Sequence, residues 1–262
     1  MSAVPGFGAS RQHGMARTAA LLLAGLPLVA QISHPADAPP PKANPQTILD
    51  RAVEMYEGKK FATALLAFQE AAAAGKTEAA SYLGVMYSEG QGTAVNYDEA
   101  MTWLRKASAA GDAQAMCNIG VLFYQGLGVP RRPDLARQWF LKSAQAGNNQ
   151  AMFNLGVMYR DGAGGPADPA EAMAWFFRAA AEQNDKAMNS MGVMYQNGQG
   201  VLVDYPEAAR WYRKAADLGN ASAMYNLATL YDEGRGVPKD ATEARKWLDK
   251  AAEARAHEAP AP

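Results

Sequence analysis

The sequence predicts an all-α protein, built as an α-solenoid of helix-turn-helix repeats. The phrase LGVMYSEGQG begins at Leu83, and variants of it return every 36 residues, at Ile119, Leu155, Met191 and Leu227. All five tryptophans of the chain keep the same interval, at Trp103, Trp139, Trp175, Trp211 and Trp247. A fixed period of this length is typical of stacked supersecondary units.

Each unit contains two predicted helices, helix A and helix B. In helix A, Ala115, Ile119 and Phe123 are four residues apart and share one apolar face. In helix B, Ala208, Trp211 and Ala215 follow the same helical spacing. Small residues at fixed places allow the helices to approach closely, and the tryptophan is expected to fill the space that they leave. The five units span residues 77–112, 113–148, 149–184, 185–220 and 221–256.

A pair of glycines separates helix A from helix B. The first, Gly90 in unit one, is predicted to end helix A in the left-handed conformation. The second, Gly92, is predicted to turn the chain toward helix B. A phosphate-binding loop would need a strand before its glycines and a helix directly after them. Here a helix precedes them, so the glycines are interpreted as structural.

The start of helix B carries a capping signature. Residues 168–171 (DPAE), 204–207 (DYPE) and 240–243 (DATE) predict capping boxes, and 96–99 (NYDE) is a variant. The second unit has Arg132 and Leu135 at those positions, which predicts the most frayed start, partly offset by Pro133. Glycine ends helix B in most units, whereas Gln183 takes its place in the third.

The repeated phrase A-x-x-x-L-G-x-x-Y-x-x-G-x-G-V, followed by D-x-x-x-A-x-x-W and K-A-A-x-x-G, resembles the Sel1-like repeat family, related to tetratricopeptide repeats. The resemblance covers 77–256 and implies a right-handed α-solenoid whose helices A line a concave face. Residues 47–76 resemble an ordinary tetratricopeptide helix pair that caps the N-terminal end. The last helix is charged where a next repeat would dock, as a terminal cap requires.

The N-terminal residues differ in composition from the repeats. In 1–38, Arg11 and Arg17 precede an apolar stretch of about a dozen residues, 19–30, which is the layout of a secretory signal peptide. The stretch is too short for a stable membrane span. Residues 39–46 predict a proline-rich linker, and 257–262 a short tail. The expected location is periplasmic or secreted in a bacterium; the alternative is a cytoplasmic protein with a disordered or weakly anchored N-terminus.

The charge and the reactive residues argue against most enzyme and nucleic-acid functions. The net charge is −1, with 25 basic and 26 acidic residues, so no basic surface for nucleic acid is expected. The three histidines lie in the terminal segments, and Cys117 is the single cysteine. Neither a histidine-based catalytic arrangement nor a tetrahedral zinc site can form from the repeats. We therefore expect no enzyme activity, no metal and no cofactor.

Helix-A positions that vary between repeats are the predicted binding surface. By resemblance to the tetratricopeptide groove, these lie two residues before the leucine of the phrase and just after its tyrosine. An apolar ladder of valines, beginning at Val85, runs between them. The predicted partner-binding residues are Tyr124, Phe153, Arg160, Asp161, Asn189, Gln196 and Tyr225. Aromatic anchors inside a polar rim are what peptide-binding surfaces use.

The predicted function is a non-catalytic, monomeric scaffold or adaptor that binds a partner peptide or protein on the helix-A face. One alternative is a binder of cell-wall or exopolysaccharide glycans that stacks sugars on Tyr124, Phe153 and Tyr225. Another is a regulatory subunit of an envelope enzyme. Cys117 falls on the predicted surface, either as a reactive thiol or as a small half-buried residue.

Overall fold

The structure is a computed structural model that describes residues 44–258. This part of the chain forms twelve α-helices and contains no strand, so the predicted all-α repeat fold is confirmed. In chain order they are α1 (Pro45–Glu57), α2 (Phe61–Ala73), α3 (Glu78–Glu89), α4 (Tyr97–Ala109), α5 (Ala113–Gln125), α6 (Pro133–Gln145), α7 (Asn149–Asp161), α8 (Pro169–Ala181), α9 (Asp185–Asn197), α10 (Tyr205–Asp217), α11 (Ala221–Glu233) and α12 (Ala241–Glu258).

The helices stack in sequential order. Each one packs against the next along the chain, most extensively within a pair such as α5 with α6. The odd-numbered helices from α3 to α11 are helices A of the five repeats. Two of them also contact the next helix A directly, α3 with α5 and α7 with α9. The helices A therefore line one continuous surface, which we call the helix-A face.

The N-terminal pair begins earlier than expected. Helix α1 starts at Pro45, inside the range predicted as linker, because the side chain of Asn44 accepts a hydrogen bond from Gln46 N and proline fits the first helical position. At the other end, α12 continues to Glu258, into the predicted tail. The predicted signal peptide and residues 39–43 of the linker lie outside the described residues, as do residues 259–262.

A helix-A glycine fixes how closely helix B packs within a repeat. A Cβ atom added at Gly156 would lie 2.5 Å from Phe176 Cδ1, and one added at Gly192 would lie 2.5 Å from Tyr212 Cδ1. The expectation that tryptophan fills this space was wrong. The residue after the tryptophan fills it, because that position points at the helix A of the same repeat.

The tryptophans instead pack between repeats. Trp175 belongs to a buried cluster with Phe140 and Ala144 of the preceding repeat. Trp211 and Trp247 are also buried, whereas the first two tryptophans of the chain are half-buried. In every repeat a lysine or arginine three residues on lies 4.0–5.0 Å from the centre of the indole ring. Each tryptophan ring therefore also makes a cation–π contact within its own helix.

The glycine pair has two structural roles. Gly162 ends α7 with φ 69°, the left-handed cap that the sequence predicted. Gly164 is also left-handed, and it lies against the first residue of helix B in the preceding repeat. A Cβ atom there would be 2.7 Å from the carbonyl carbon of Pro133. The second glycine is therefore needed for the docking of one repeat on the next, as well as for the turn.

Only half of each predicted capping box forms. The carboxylate of Asp168 accepts from Glu171 N at 3.1 Å, as expected. The N–H of Asp168, which Glu171 would have bonded in return, donates to the carbonyl of Tyr159 at 2.8 Å instead. Arg132 provides no side-chain cap to α6, yet α6 begins at the equivalent position, Pro133. The bond from Arg132 N to Phe123 O (2.8 Å) holds that turn.

Gln183 is strained, and its replacement by glycine is expected to stabilise the protein. Its φ is 58°, in the left-handed region, where Gly111, Gly147 and Gly219 stand in other repeats. That conformation costs a residue with a Cβ atom about 1–2 kcal/mol. Glycine removes this strain, but its greater flexibility in the unfolded chain offsets part of the gain. Gln183→Gly should therefore raise the free energy of unfolding by about 0.5–1 kcal/mol, measured by urea denaturation.

A matched control distinguishes relief of strain from a general effect of glycine. Gln145 is the last residue of α6 and is helical. Gln145→Gly should destabilise by about 0.5–1 kcal/mol. A Gln183→Gly protein that is less stable than wild type would show that Gln183 carries no strain.

No helix within residues 44–258 is long and apolar enough to cross a membrane.

Candidate functional site

The helix-A face carries a groove over the first three repeats. One depression of about 400 Å³ lies between α3 and α5, with Val85, Asn118 and Val121 in its lining. A second, of about 200 Å³, lies between α5 and α7 and is lined by Val121, Asn154 and Val157 among others. Because the two depressions share Val121, we treat them as one feature, the A-face groove.

The groove combines an apolar floor with primary amides. The valines form the floor, and Asn118 and Asn154 occupy equivalent positions of consecutive repeats. Gln114 Nε2 donates to Asn118 Oδ1 at 3.0 Å, and Gln150 Nε2 donates to Asn154 Oδ1 at 3.1 Å. Each asparagine is thus held by the preceding turn of its own helix. Each amide oxygen keeps a second lone pair and each amide nitrogen carries two N–H groups, so both asparagines can still bond to a peptide backbone.

Tyr124 is the predicted site residue that lines the A-face groove. Its ring lies 5.6 Å from the guanidinium of Arg131, and Arg131 Nε donates to the carbonyl of Tyr124 at 3.1 Å. The cation–π contact covers part of the ring and fixes its position. Tyr124 therefore forms a wall of the groove.

Arg160 and Asp161 bind each other. Arg160 Nε lies 2.6 Å from Asp161 Oδ1, and a second bond joins Arg160 Nη2 to Asp161 Oδ2 at 3.0 Å. The hydrogen bond to Asp161 raises the pKa of the Arg160 guanidinium. Neither residue lines the A-face groove. The charges of Arg160 and Asp161, which the sequence predicted to contact a partner, are largely neutralised by this ion pair.

Gln196 satisfies a buried hydroxyl group. Its Oε1 accepts from the Tyr212 hydroxyl at 2.8 Å, and the Tyr212 ring is buried against Gly192. Burial raises the pKa of the Tyr212 hydroxyl above its usual value. A buried hydroxyl without a partner would be costly, so Gln196 contributes to the fold.

The aromatic residues predicted as stacking platforms lie apart. Phe153 is half-buried, and its ring centre is 5.8 Å from that of Phe176. Tyr225 is 51% exposed and lines a depression between α11 and α12 with Leu248. Tyr124, Phe153 and Tyr225 therefore belong to three different depressions. They do not form one continuous platform.

Phe153 and Asn189 meet in a polar depression at the N-terminal ends of α9 and α11. Its volume is about 360 Å³, and Lys186, Asn220 and Arg255 also line it. Asn189 Oδ1 accepts from Asn226 Nδ2 at 3.0 Å, a bond between consecutive helices A. We call this depression the donor pocket, for the hydrogen-bonding groups described below.

Sequence reasoning missed four of the residues in these two features: Asn118, Asn154, Lys186 and Arg255. The asparagines recur at the position before the leucine of the phrase, and recurring positions were assigned to the fold. Their recurrence was the available signal, since an amide that repeats every 36 residues forms a row. Nothing in the sequence linked Lys186 to Arg255, because they are brought together by helices α9 and α12 of two consecutive repeats.

Cys117 is buried, at 1% exposure, and does not lie on an accessible surface as the sequence suggested. Its position faces the next repeat, where Asn154 Nδ2 lies 3.9 Å from Sγ. Burial raises the pKa of the Cys117 thiol to about 11. The thiolate is therefore scarce at neutral pH, and the structure gives no support to a reactive thiol.

Stacked helix pairs with a common period define the chain as an all-α helical repeat protein. The family model of the Sel1 repeat matches residues 77–112, 113–148, 149–184, 185–220 and 221–255. The chain therefore belongs to the Sel1 repeat family. Proteins of this family generally mediate protein–protein interactions and typically act as scaffolds without catalytic activity.

Solved structures with the same architecture come from several bacteria. The chain is similar to c5321, a protective antigen present in uropathogenic Escherichia coli strains and displaying an SLR fold, at 32% identity and a TM-score of 0.75. That match covers 80% of this chain and 46% of the antigen, so the chain spans about half of its length. A Sel1 repeat protein from Oxalobacter formigenes matches at 29% identity and a TM-score of 0.71, covering 80% and 85% of the two chains.

The immunity protein Pa5087 from Pseudomonas aeruginosa shares the fold alone, at 18% identity and a TM-score of 0.52. That match covers 84% of this chain and 86% of the immunity protein. No curated protein matches the sequence.

Proposed function

We propose that this protein is an adaptor that binds an extended segment of a partner protein in the A-face groove. The observation that carries the proposal is the combination of a valine floor with the equivalent amides of Asn118 and Asn154. Apolar side chains of the partner would cover the valines, and its backbone would bond to the amides.

The spacing of the groove fits an extended chain. Packed helices are about 8–10 Å apart. An extended peptide advances about 3.3 Å per residue, so it crosses one repeat in about three residues. Asn118 and Asn154 would then bond the backbone at every third residue, which leaves the side chains between them to contact the floor.

The glycan alternative is less well supported. Stacking of successive sugars needs aromatic faces in one line, and the three predicted rings lie in separate depressions. A regulatory subunit of an envelope enzyme would bind its partner through the same groove. That alternative differs from the adaptor only in that the partner is an enzyme.

Removal of the two groove amides tests the proposal. Peptides are first selected from a random dodecapeptide phage library on the full chain, and the affinity of the best binder is measured by calorimetry. Asn118→Ala combined with Asn154→Ala should weaken binding about 10–100-fold, since each lost hydrogen bond contributes about 0.5–1.5 kcal/mol. Circular dichroism checks that the variant folds.

Gln138→Ala combined with Gln145→Ala is the matched control. These exposed amides lie on α6, a helix B, outside the groove. The control should bind as wild type does. Equal binding by the groove variant and wild type would place the peptide elsewhere and contradict the proposal.

A further inference from the structure

The donor pocket gathers residues from three repeats. Phe153 of α7 forms one wall, Lys186 and Asn189 of α9 another, and Asn220 lies at the start of α11. Arg255, near the end of α12, completes the lining. The pocket lies on the helix-A face, and Lys186 and Arg255 are exposed to solvent.

Three side-chain acceptor atoms in the pocket already accept hydrogen bonds. Asp185 Oδ2 accepts from Asn220 Nδ2 at 2.7 Å. Asn220 Oδ1 accepts from Ala223 N at 2.8 Å, and Asn189 Oδ1 accepts from Asn226 Nδ2 at 3.0 Å. Carboxylate and amide oxygens act only as acceptors, and each of these bonds uses one acceptor site of the lining.

Donor groups remain available. Among residues 44–256, whose side chains the structure describes, Lys186 and Arg255 have no ion-pair partner. The amide nitrogen of Asn189 likewise makes no bond there, since only its oxygen is engaged. Two cations therefore stand against the single carboxylate of Asp185. The free donors of the pocket thus include two cationic groups and one amide, and its lining carries a net positive charge.

We propose that the donor pocket binds a carboxylate of the partner segment. This inference rests on the proposed function, that the helix-A face binds a peptide. A carboxylate is an acceptor-only group that a guanidinium can hold through two parallel bonds. The ammonium of Lys186 adds charge, and the ring of Phe153 provides an apolar wall for the adjoining methylene groups. Such a site favours acidic partners and fixes the direction of the bound segment.

The carboxylate comes from an acidic side chain or from the C-terminus of the partner, and three peptide pools distinguish these sources. Each is a fluorescein-labelled decapeptide pool with random uncharged residues at eight positions, titrated with the full chain and followed by fluorescence anisotropy. The first pool has Asp or Glu at the other two positions and an amidated C-terminus. The second pool has Asn or Gln at those positions and an amidated C-terminus. The third pool has Asn or Gln there and a free C-terminal carboxylate.

At least one carboxylate-bearing pool should bind about tenfold more tightly than the neutral amidated pool. Lys186→Gln combined with Arg255→Gln should reduce this preference to less than twofold. The matched control, Arg105→Gln with Lys239→Gln, removes two positive charges from exposed residues outside the pocket and should keep it. Lys186→Glu with Arg255→Glu should instead disfavour the acidic pool.

The outcomes separate this inference from the proposed function. Equal binding of the three pools by wild type would overturn carboxylate recognition and leave peptide binding intact. A preference that persists in the Lys186→Gln, Arg255→Gln protein would overturn the assignment of the pocket. Absence of binding to all pools would contradict both proposals. Tighter binding of oligogalacturonate than of any peptide pool would show that the carboxylate belongs to an acidic glycan and overturn the peptide assignment.

Discussion

Replacing Phe176 by alanine is expected to lower the free energy of unfolding by about 3–5 kcal/mol. The side chain is completely buried, and its ring fills the space that Gly156 leaves on helix A of the same repeat. It also packs against Phe153, with ring centres 5.8 Å apart. Alanine would leave a cavity that the close-packed helices cannot close. Since a repeat cannot bury its apolar face alone, the neighbouring repeats should lose stability with it.

The next residue provides the control. Phe177 is 58% exposed, and its ring meets the edge of Trp211 with 6.3 Å between the ring centres. Phe177→Ala should cost about 1 kcal/mol or less, the contribution of one aromatic pair. Both variants are compared by urea unfolding followed by circular dichroism at 222 nm. Similar losses for the two phenylalanines would refute the assignment of Phe176 to the space opposite Gly156.

Gly164→Ala is expected to destabilise the protein by about 3 kcal/mol or more. Two costs add at this position. The backbone is left-handed, at φ 77°, which costs an alanine about 1–2 kcal/mol. The new methyl group would also lie 2.7 Å from the carbonyl carbon of Pro133 and 3.0 Å from Asp134 N. These are backbone atoms at the start of α6, so the repeats must move apart, at a cost typical of overpacking.

Gly147→Ala isolates the conformational cost from the clash. Gly147 is also left-handed, at φ 90°, but a Cβ atom there meets no other atom within 4 Å. This variant should lose about 0.5–1 kcal/mol, because the lower flexibility of alanine in the unfolded chain offsets part of the cost of the left-handed backbone. The difference between the two melting temperatures then measures the close approach between repeats. Equal losses would mean that Gly164 is needed only for the turn.

In four repeats helix A has a glycine at the same position, whereas the helix-B residue that faces it varies. Gly84, Gly120, Gly156 and Gly192 face a large residue of helix B, and that residue changes from Leu104 to Phe140, Phe176 and Tyr212. Tyr212 brings a hydroxyl into the core, and Gln196 supplies its acceptor at 2.8 Å. The tyrosine at this buried position therefore engages Gln196, a residue that the sequence had predicted to bind a partner.

The sequence by itself determined the repeat, its helices and its turns. The period of 36 residues, the helical spacing of the apolar residues and the left-handed glycine that ends helix A are local signals. Local signals can be interpreted without knowledge of the tertiary contacts, because a helix cap or a turn depends on a few consecutive residues. The same information predicted a frayed start for α6 at Arg132. There is no side-chain cap at Arg132, yet α6 begins at the position equivalent to that of the other helices B.

Only the tertiary structure decided which helix-A side chains remain free to bind a partner. Gln196 is bonded to a residue 16 positions away, and Cys117 is buried under the next repeat. Asn118 and Lys186 line the surface instead, together with Arg255 of α12. The physical reason is that hydrogen-bond partners and burial are set by contacts between helices, both within a repeat and between repeats. Periodicity fixes which residues share a face, but the partners of each side chain depend on the atoms that neighbouring helices bring against it.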